Sequence, residues 1–392
     1  MGHAPGPGVR FVLILGALTA LTPASIDMYL PSFPELARAL GAAPASVQLT
    51  LSAYLVGLAV GQAAYGPLAD RLGRRRPLMG GLALYAAASA GCALAPRVDV
   101  LIALRFVQAL GGAACLVIPR AIVRDRFDPQ ASARVYSHLM LVVGVAPILA
   151  PLVGGQIVHA AGWRAVFGVL AGLGLGGFVL TALALPESSP RAAAPGAGLS
   201  DYGRLLGDRR FVGFAACGGL AMAGMFAYIA SSPFVLIELY GVPPRAFGWI
   251  FGGNAAALIA ASQVNGALLL RLRAETILAR SITAGAVIGI ALVGVAVTSV
   301  GGLPVLLVLL FAYLASRGFL QPNAVACALA DHPQRAASAS ALFGVVQFGG
   351  ATAASALVGA LHDGTARPMA LVMGGSSVLA LVAYVALARG RR

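Results

Sequence analysis

The chain has 392 residues, of which 59% are hydrophobic and only 10% charged, with 27 basic and 13 acidic side chains and a formal net charge of +14. A soluble domain carries about 25% charged residues, so the composition excludes a soluble enzyme or binding module and leaves a polytopic membrane protein. Every basic side chain is arginine, and most lie between apolar runs in alternate connections, which argues against a nucleic-acid surface and for contact with a lipid bilayer.

A hydrocarbon core of ~30 Å needs about 20 apolar residues per helix. Hydropathy predicts spans over 11–31, 46–66, 78–95, 100–120, 136–158, 164–185, 211–235, 247–270, 280–300, 303–329, 338–361 and 369–388. The first run follows Arg10 and carries small residues at Ala20 and Ala24, as a leader peptide would. It continues to Leu30 and many spans follow, so it reads as a span rather than a cleaved leader.

Within that first span lies Asp27, the one carboxylate well inside an apolar run. A charge at a helix centre costs about 2.5–3.5 kcal/mol on insertion scales and marks a functional site by default. Span 4 carries Arg105. With span 1 running outward and span 4 inward, Asp27 and Arg105 sit at similar depth, roughly 6 Å from the outer ends at 1.5 Å per residue. The two are expected to interact directly or through water or substrate; a fixed pair stapling the spans together is the alternative. Burial disfavours a charged carboxylate and a neighbouring guanidinium favours it, so a group held between those influences can change protonation as its surroundings open and close. Arg317 in span 10 has no well-buried carboxylate in the C-terminal half. It either faces a cavity or bonds backbone carbonyls near Gly318 and Pro322. Tyr29, Tyr54, Met222, Met225, Phe226, Tyr228 and Phe348 are aromatic or Met side chains able to wall a permissive site, although each also suits a lipid-facing or core position.

The arginines assign sidedness. With a cytoplasmic N-terminus the inner connections receive Arg10, Arg71, Arg74, Arg75, Arg76, Arg120, Arg124, Arg126, Arg134, Arg191 and further arginines through Arg392, whereas the outer ones hold Arg38, Arg97, Arg164, Arg245 and Arg367. That asymmetry is the positive-inside rule and predicts both termini in the cytoplasm. Connections are short except for Pro186–Arg210, rich in Pro, Ala and Gly, which reads as a flexible linker. It predicts an N-terminal bundle over 1–187, a linker over 188–210 and a C-terminal bundle over 211–392. After span 2 the chain reads Gly66-Pro-Leu68-Ala-Asp70-Arg71-Leu72, and after span 8 Gly266-Ala-Leu268-Leu-Leu270-Arg271-Leu272, an echo at an offset of 200 residues. A two-fold repeat of six spans is the pattern of carriers that bind substrate at midplane between their halves.

Other signals are decoys. Gly172-x-Gly174-x-Gly176-Gly177 satisfies a dinucleotide fingerprint but lies inside span 6 with no strand before it. Cys92, Cys115, Cys217 and Cys327 lie in apolar runs at unrelated spacings, and His3, His138, His159, His332 and His362 are scattered near ends and connections. No metal site, catalytic residue or cofactor is expected, although His138 keeps a small claim as a proton sensor.

Four motifs resemble one family. Gly66-x-x-x-Asp70-Arg71-x-Gly73-Arg74-Arg75-Arg76 resembles the signature loop of the major facilitator superfamily. Arg105-Phe-Val-Gln108-Ala-Leu-Gly111-Gly112 is similar to the second signature of its proton-coupled members. Gly144-Val-Ala-Pro147-Ile-Leu-Ala-Pro151-Leu-Val-Gly154-Gly155 resembles the antiporter signature of twelve-span drug exporters. Asp27-Met-Tyr29-Leu-Pro31 and Ser232-Pro233-Phe234 are similar to the Bcr/CflA group.

The resemblance implies an all-α membrane protein of twelve transmembrane helices in two pseudo-symmetric six-helix bundles around a central cavity. It implies proton-driven antiport of drugs or other small amphipathic compounds across a bacterial inner membrane, with no cofactor and a monomeric carrier. The alternative cargo is an endogenous metabolite such as a sugar or amino-acid derivative. Asp27 and Arg105 would couple protons to substrate, with Tyr29, Gln108, Tyr228 and Arg317 as cavity candidates. Asp70 would latch the outward-facing state against the N-terminal end of span 11, with Arg71 and Arg74 pairing to neighbours such as Asp125. Leu270 replaces that Asp in the second half. Gly144, Pro147, Pro151, Gly154 and Gly155 would form a seam gating the cavity.

Overall fold

The computed structural model describes residues 9–127, 129–187, 199–332 and 335–389. Among the described residues all regular structure is helical. The side chains of Arg10, Arg134 and His138, with His3, Arg191, Arg391, Arg392 and positions 188–198 of the expected linker, lie outside them.

The elements are α1 (Val9–Asp27), α2 (Phe33–Ala39), α3 (Pro44–Leu72), α4 (Arg75–Leu94), α5 (Val98–Arg126), α6 (Pro129–Ala184) and α7 (Leu199–Gly207), then α8 (Arg209–Pro233), α9 (Pro244–Leu268), α10 (Ala274–Thr298), α11 (Gly302–Ala330), α12 (Ala336–Ala360) and α13 (Arg367–Ala383). Eleven helical segments among the described residues are long and apolar enough to cross a membrane. The sequence predicts twelve. The difference lies in α6, which joins predicted spans 5 and 6 and breaks only at Gly162, at φ 77° and ψ 175°. Such a conformation is essentially confined to glycine, which lacks the Cβ that forbids it to other residues.

The first segment is also longer than predicted, running through Ala39. Pro31 and Pro34 do not end it, because each stands in the first turn of a new helical stretch, Leu30–Ser32 and Phe33–Ala39. In a first turn the missing proline N–H is no loss. The motif expected as a loop after span 2 is mostly helix: α3 runs through Pro67 to Leu72, leaving Gly73 and Arg74 as the connection. Part of the expected linker is helical too, as α7, whose Leu205 is buried in an apolar cluster with Phe211, Phe214 and Leu278.

Packing divides the chain into two compact units. One comprises Met1–Ala42, Ala53–Ala194 and Pro244–Gly248; the other Ala43–Ser52, Pro195–Pro243 and Trp249–Arg392. Within the first, α4 packs on α5 and α6, and α1 on α6 and α5. A Cβ on Gly111 of α5 would lie 2.6 Å from the Gly81 carbonyl oxygen of α4, so the two backbones touch. Small residues at such crossings let membrane helices approach closely. Within the second, α8 packs on α12, α13 and α11, and α10 on α11 and α13.

Candidate transport site

Arg105 is fully buried on α5. Its Nη1 donates to Gln108 Oε1 at 2.6 Å, one helical turn on, and its Nη2 to the Ser25 carbonyl oxygen at 3.0 Å. The guanidinium carbon stands 4.2 Å from the Tyr29 ring centre and 4.1 Å from that of Tyr54, with Phe167 at 5.8 Å. Gln108 Nε2 donates onward to Ser89 Oγ at 2.7 Å, and Ser25 Oγ and the Tyr85 hydroxyl lie 2.5 Å apart. Arg105 Nε has no acceptor among the described residues. A cation over an aromatic face gains about 2 kcal/mol when desolvated, and a hydrogen bond from a charged group about 1.5–3. These gains are of the same order as the insertion cost of the charge, and every group supplying them is neutral.

Asp27 ends α1 and is 5% exposed. Its carboxylate has no hydrogen bond or ion pair among the described residues, so the expected direct contact with Arg105 is absent: the guanidinium bonds the carbonyl of Ser25, two residues earlier. The end of a helix leaves carbonyls without i+4 donors and carries partial negative charge, which explains why a cation is held there. The break after Asp27 also explains one glycine of the span 5 motif. Gly154 of α6 packs so closely on the Met28 carbonyl that a Cβ would collide with it. Pro151 and Gly155 are buried, and Gly144 and Pro147 half-buried, on the same helix.

A second cluster surrounds the connection between α3 and α4. Arg74 is buried; its Nη1 meets Asp70 Oδ1 at 2.7 Å and its Nε meets Asp125 Oδ2 at 2.7 Å. Burial opposes the Arg74 charge, but Asp125 and Asp70 outweigh it and hold the guanidinium above its usual value. Glu187 Oε1 accepts from the backbone N–H groups of Arg74 and Arg75, at 2.7 and 3.1 Å, at the start of α4. Gly73, at φ 82°, leaves room for that carboxylate: a Cβ would lie 2.8 Å from it. Arg74 therefore pairs with Asp125 as expected, whereas Asp70 also binds Arg74 and Arg71 stays exposed. Gly66 lies inside α3 with open space beside it.

In the other unit, Tyr228 is buried, stacks on Phe251 at 5.5 Å and accepts from Asn254 Nδ2 at 2.8 Å. Among the described residues Arg317 neither reaches a carboxylate nor bonds carbonyls near Gly318 and Pro322. Its Nη2 donates to Ser377 Oγ at 2.8 Å, and its guanidinium lies 4.1 Å from the Tyr313 ring centre, between α11 and α13.

Sequence reading missed Ser25, Tyr85, Ser89, Phe167, Asn254 and Glu187. It also missed Glu35, whose Oε1 accepts from the Trp163 N–H at 3.4 Å, beside the Gly162 break. Both glutamates lie just past the end of an expected span, and each accepts from an N–H at a helix start distant in sequence, where the dipole favours negative charge.

A family model described as Major Facilitator Superfamily matches residues 15–355. The "Uncharacterized MFS-type transporter YdgK" of Bacillus subtilis is 37% identical over 399 residues, covering 100% of this chain and 99% of that protein. The "Bicyclomycin resistance protein homolog" of Haemophilus influenzae is 33% identical over 378 residues, covering 95% of each. Among solved structures, a crystal structure of the nucleoside transporter NupG matches with a TM-score of 0.80 at 16% identity, over 96% of this chain and 99% of that one.

Proposed function

The chain belongs to the Major Facilitator Superfamily and is a membrane transporter, not an enzyme; on that footing we propose that it is a Bcr/CflA-type drug exporter, moving small amphipathic compounds, antibiotics among them, in exchange for protons. One observation carries the coupling: a buried carboxylate, Asp27, has no ion pair among the described residues and closes the helix whose Ser25 carbonyl accepts from Arg105, an arginine otherwise bonded to neutral Gln108. An unpaired buried carboxylate is costly when charged, so it takes a proton readily or pairs with a cationic or polar substrate. Either event changes the charge at the end of the helix that holds Arg105 through Ser25.

In this reading a proton entering from outside neutralises Asp27, and its release inward accompanies reloading with substrate. One charge moved through 100 mV supplies about 2.3 kcal/mol, roughly a fifty-fold concentration ratio. The proton gradient is the energy source and no cofactor takes part. The carrier is a monomer in the bacterial inner membrane with both termini cytoplasmic, and it works by alternating access. Counting the arms of α6 on either side of Gly162 separately turns eleven spanning segments into twelve, which supports two six-helix bundles, over 1–187 and 211–392, joined by 188–210. The name of the Haemophilus relative supports a drug as cargo.

Proteoliposomes with a pH-sensitive dye inside test this. Substrate addition to the wild type releases protons, and Asp27→Asn reduces that release at least about tenfold, a loss of ~1.4 kcal/mol in coupling. Undiminished substrate-dependent proton flux in Asp27→Asn would sink the coupling role.

A further inference from the structure

A groove of about 950 Å³ runs along the outside of the second unit, where α10 packs beside α13 and the wide π-helical turn Tyr384–Ala388 that extends it. Its two ends differ in chemistry. At one end stand Arg273, just before α10, Arg280, and Arg389 directly after the π turn. Arg280 lies six residues into α10, about 9 Å along its axis at 1.5 Å per residue. Deeper along both helices the walls are apolar: Val287, Leu381 and Val385, of which Val287 is 63% and Val385 51% exposed. Valines so exposed on a membrane-spanning helix face lipid rather than protein.

Among the described residues the basic end is not neutralised by a carboxylate of its own. Glu275 is the one carboxylate lining the groove, and Arg210 Nη2 already holds it at 3.3 Å, while Arg210 Nη1 engages Asp331 at 3.2 Å. Among the described residues no acidic side chain forms an ion pair with Arg273, Arg280 or Arg389. Three arginines thus line the same groove as these apolar walls.

We propose that this groove is a binding site for an anionic phospholipid, its phosphate held by Arg273, Arg280 and Arg389 and its acyl chains lying on Val287, Leu381 and Val385. Guanidinium forks match phosphate oxygens, and basic pockets between membrane helices hold acidic headgroups in this way. A soluble anion would use the arginines alone and leave the apolar walls uncovered. A zwitterionic lipid would cover the walls but bring an ammonium group against three cations. Only a lipid of net negative charge satisfies both ends.

The test is native mass spectrometry of the full chain in detergent, titrated with dioleoyl phosphatidylglycerol or dioleoyl phosphatidylcholine. The pair of substitutions Arg280→Gln and Arg389→Gln is compared with a control of equal charge, Arg245→Gln and Arg367→Gln, which leaves the groove intact. The wild type and the control bind phosphatidylglycerol in preference to phosphatidylcholine, and the groove variant loses more than about tenfold of that affinity. Millimolar inorganic phosphate leaves the bound lipid in place. The site is refuted if the groove variant keeps wild-type affinity, if the control loses as much, if phosphatidylcholine binds equally well, or if phosphate displaces the lipid. The last two comparisons need only the wild type, so the site stays open to refutation even where a variant folds poorly. Lipid binding is read directly, independent of any transported compound.

Discussion

Arg105 Nη2 donates to the carbonyl oxygen of Ser25 at 3.0 Å, and the carboxylate of Asp27, two residues further on, has no ion pair among the described residues. The guanidinium satisfies Gln108 and Ser25 from two nitrogens while its plane meets the Tyr29 and Tyr54 rings. A lysine keeps the charge but has neither the planar fork nor the stacking surface. Arg105→Lys is therefore expected to lower substrate uptake into inverted vesicles at least about tenfold, with the protein still inserted and monodisperse. Uptake equal to wild type would mean that charge alone matters at this position.

Arg317 is the contrasting case. It is as deeply buried as Arg105 but, among the described residues, holds a serine hydroxyl and the Tyr313 face, between α11 and α13. Replacing a buried charge by an apolar side chain of similar length is often neutral or stabilising. Arg317→Met is expected to keep efflux within about twofold of wild type, whereas Arg105→Met abolishes it. Loss of efflux in folded Arg317→Met would assign Arg317 a part in transport rather than in packing.

Gly154 and Gly168, both on α6, separate packing from composition. A Cβ at Gly154 strikes the Met28 carbonyl, whereas one at Gly168 meets open space. Forcing a methyl into a packed contact costs about 1–3 kcal/mol, and the shift falls on the residue after Asp27. Gly154→Ala is expected to lower the melting midpoint in detergent and reduce efflux; Gly168→Ala, on the same helix, changes neither. Equal behaviour of the two variants would remove the close approach of α6 to the α1 break as a constraint.

Much of the architecture was legible because the bilayer penalises charge so heavily. The apolar runs marked the membrane segments, and the few charges inside them, Asp27, Arg105 and Arg317, all proved buried. The pairing of Arg74 with Asp125 followed from motif resemblance. What stayed hidden has physical reasons. The first span is expected to close at Pro31, yet a proline in a first turn starts helix as well as ending it, as Pro31 and Pro34 both do. Gly162 gave no warning because glycine is equally at home in the small-residue faces of membrane helices. Ser25 and Ser89 bond carbonyls of their own helices, Leu21 and Tyr85, so nothing in their spacing points to Arg105 or Gln108. Glu187 lies 113 residues from Arg74, its partner, a separation over which no local pattern operates.

The two carboxylates on Arg74 make an ordered prediction. Asp125 is 1% exposed at its side chain and Asp70 is 40%, yet both stand 2.7 Å from the same guanidinium. Removing one partner of a buried pair leaves the other charge uncompensated, at about 3–5 kcal/mol, whereas a half-exposed pair contributes about 0–1. Asp125→Asn is therefore expected to destabilise the protein far more than Asp70→Asn, read as melting midpoint or as the fraction surviving detergent extraction. Asp125 and Asp70 hold Arg74 above its ordinary range despite burial. With a raised value in the folded state, the stabilising charge is complete below the unfolded arginine value and is lost only as pH rises through the folded one. The difference between the two variants should accordingly persist from neutral to mildly alkaline pH. If Asp70→Asn proved the more damaging for stability, the half-exposed carboxylate would be the stronger anchor and burial would not rank these contacts.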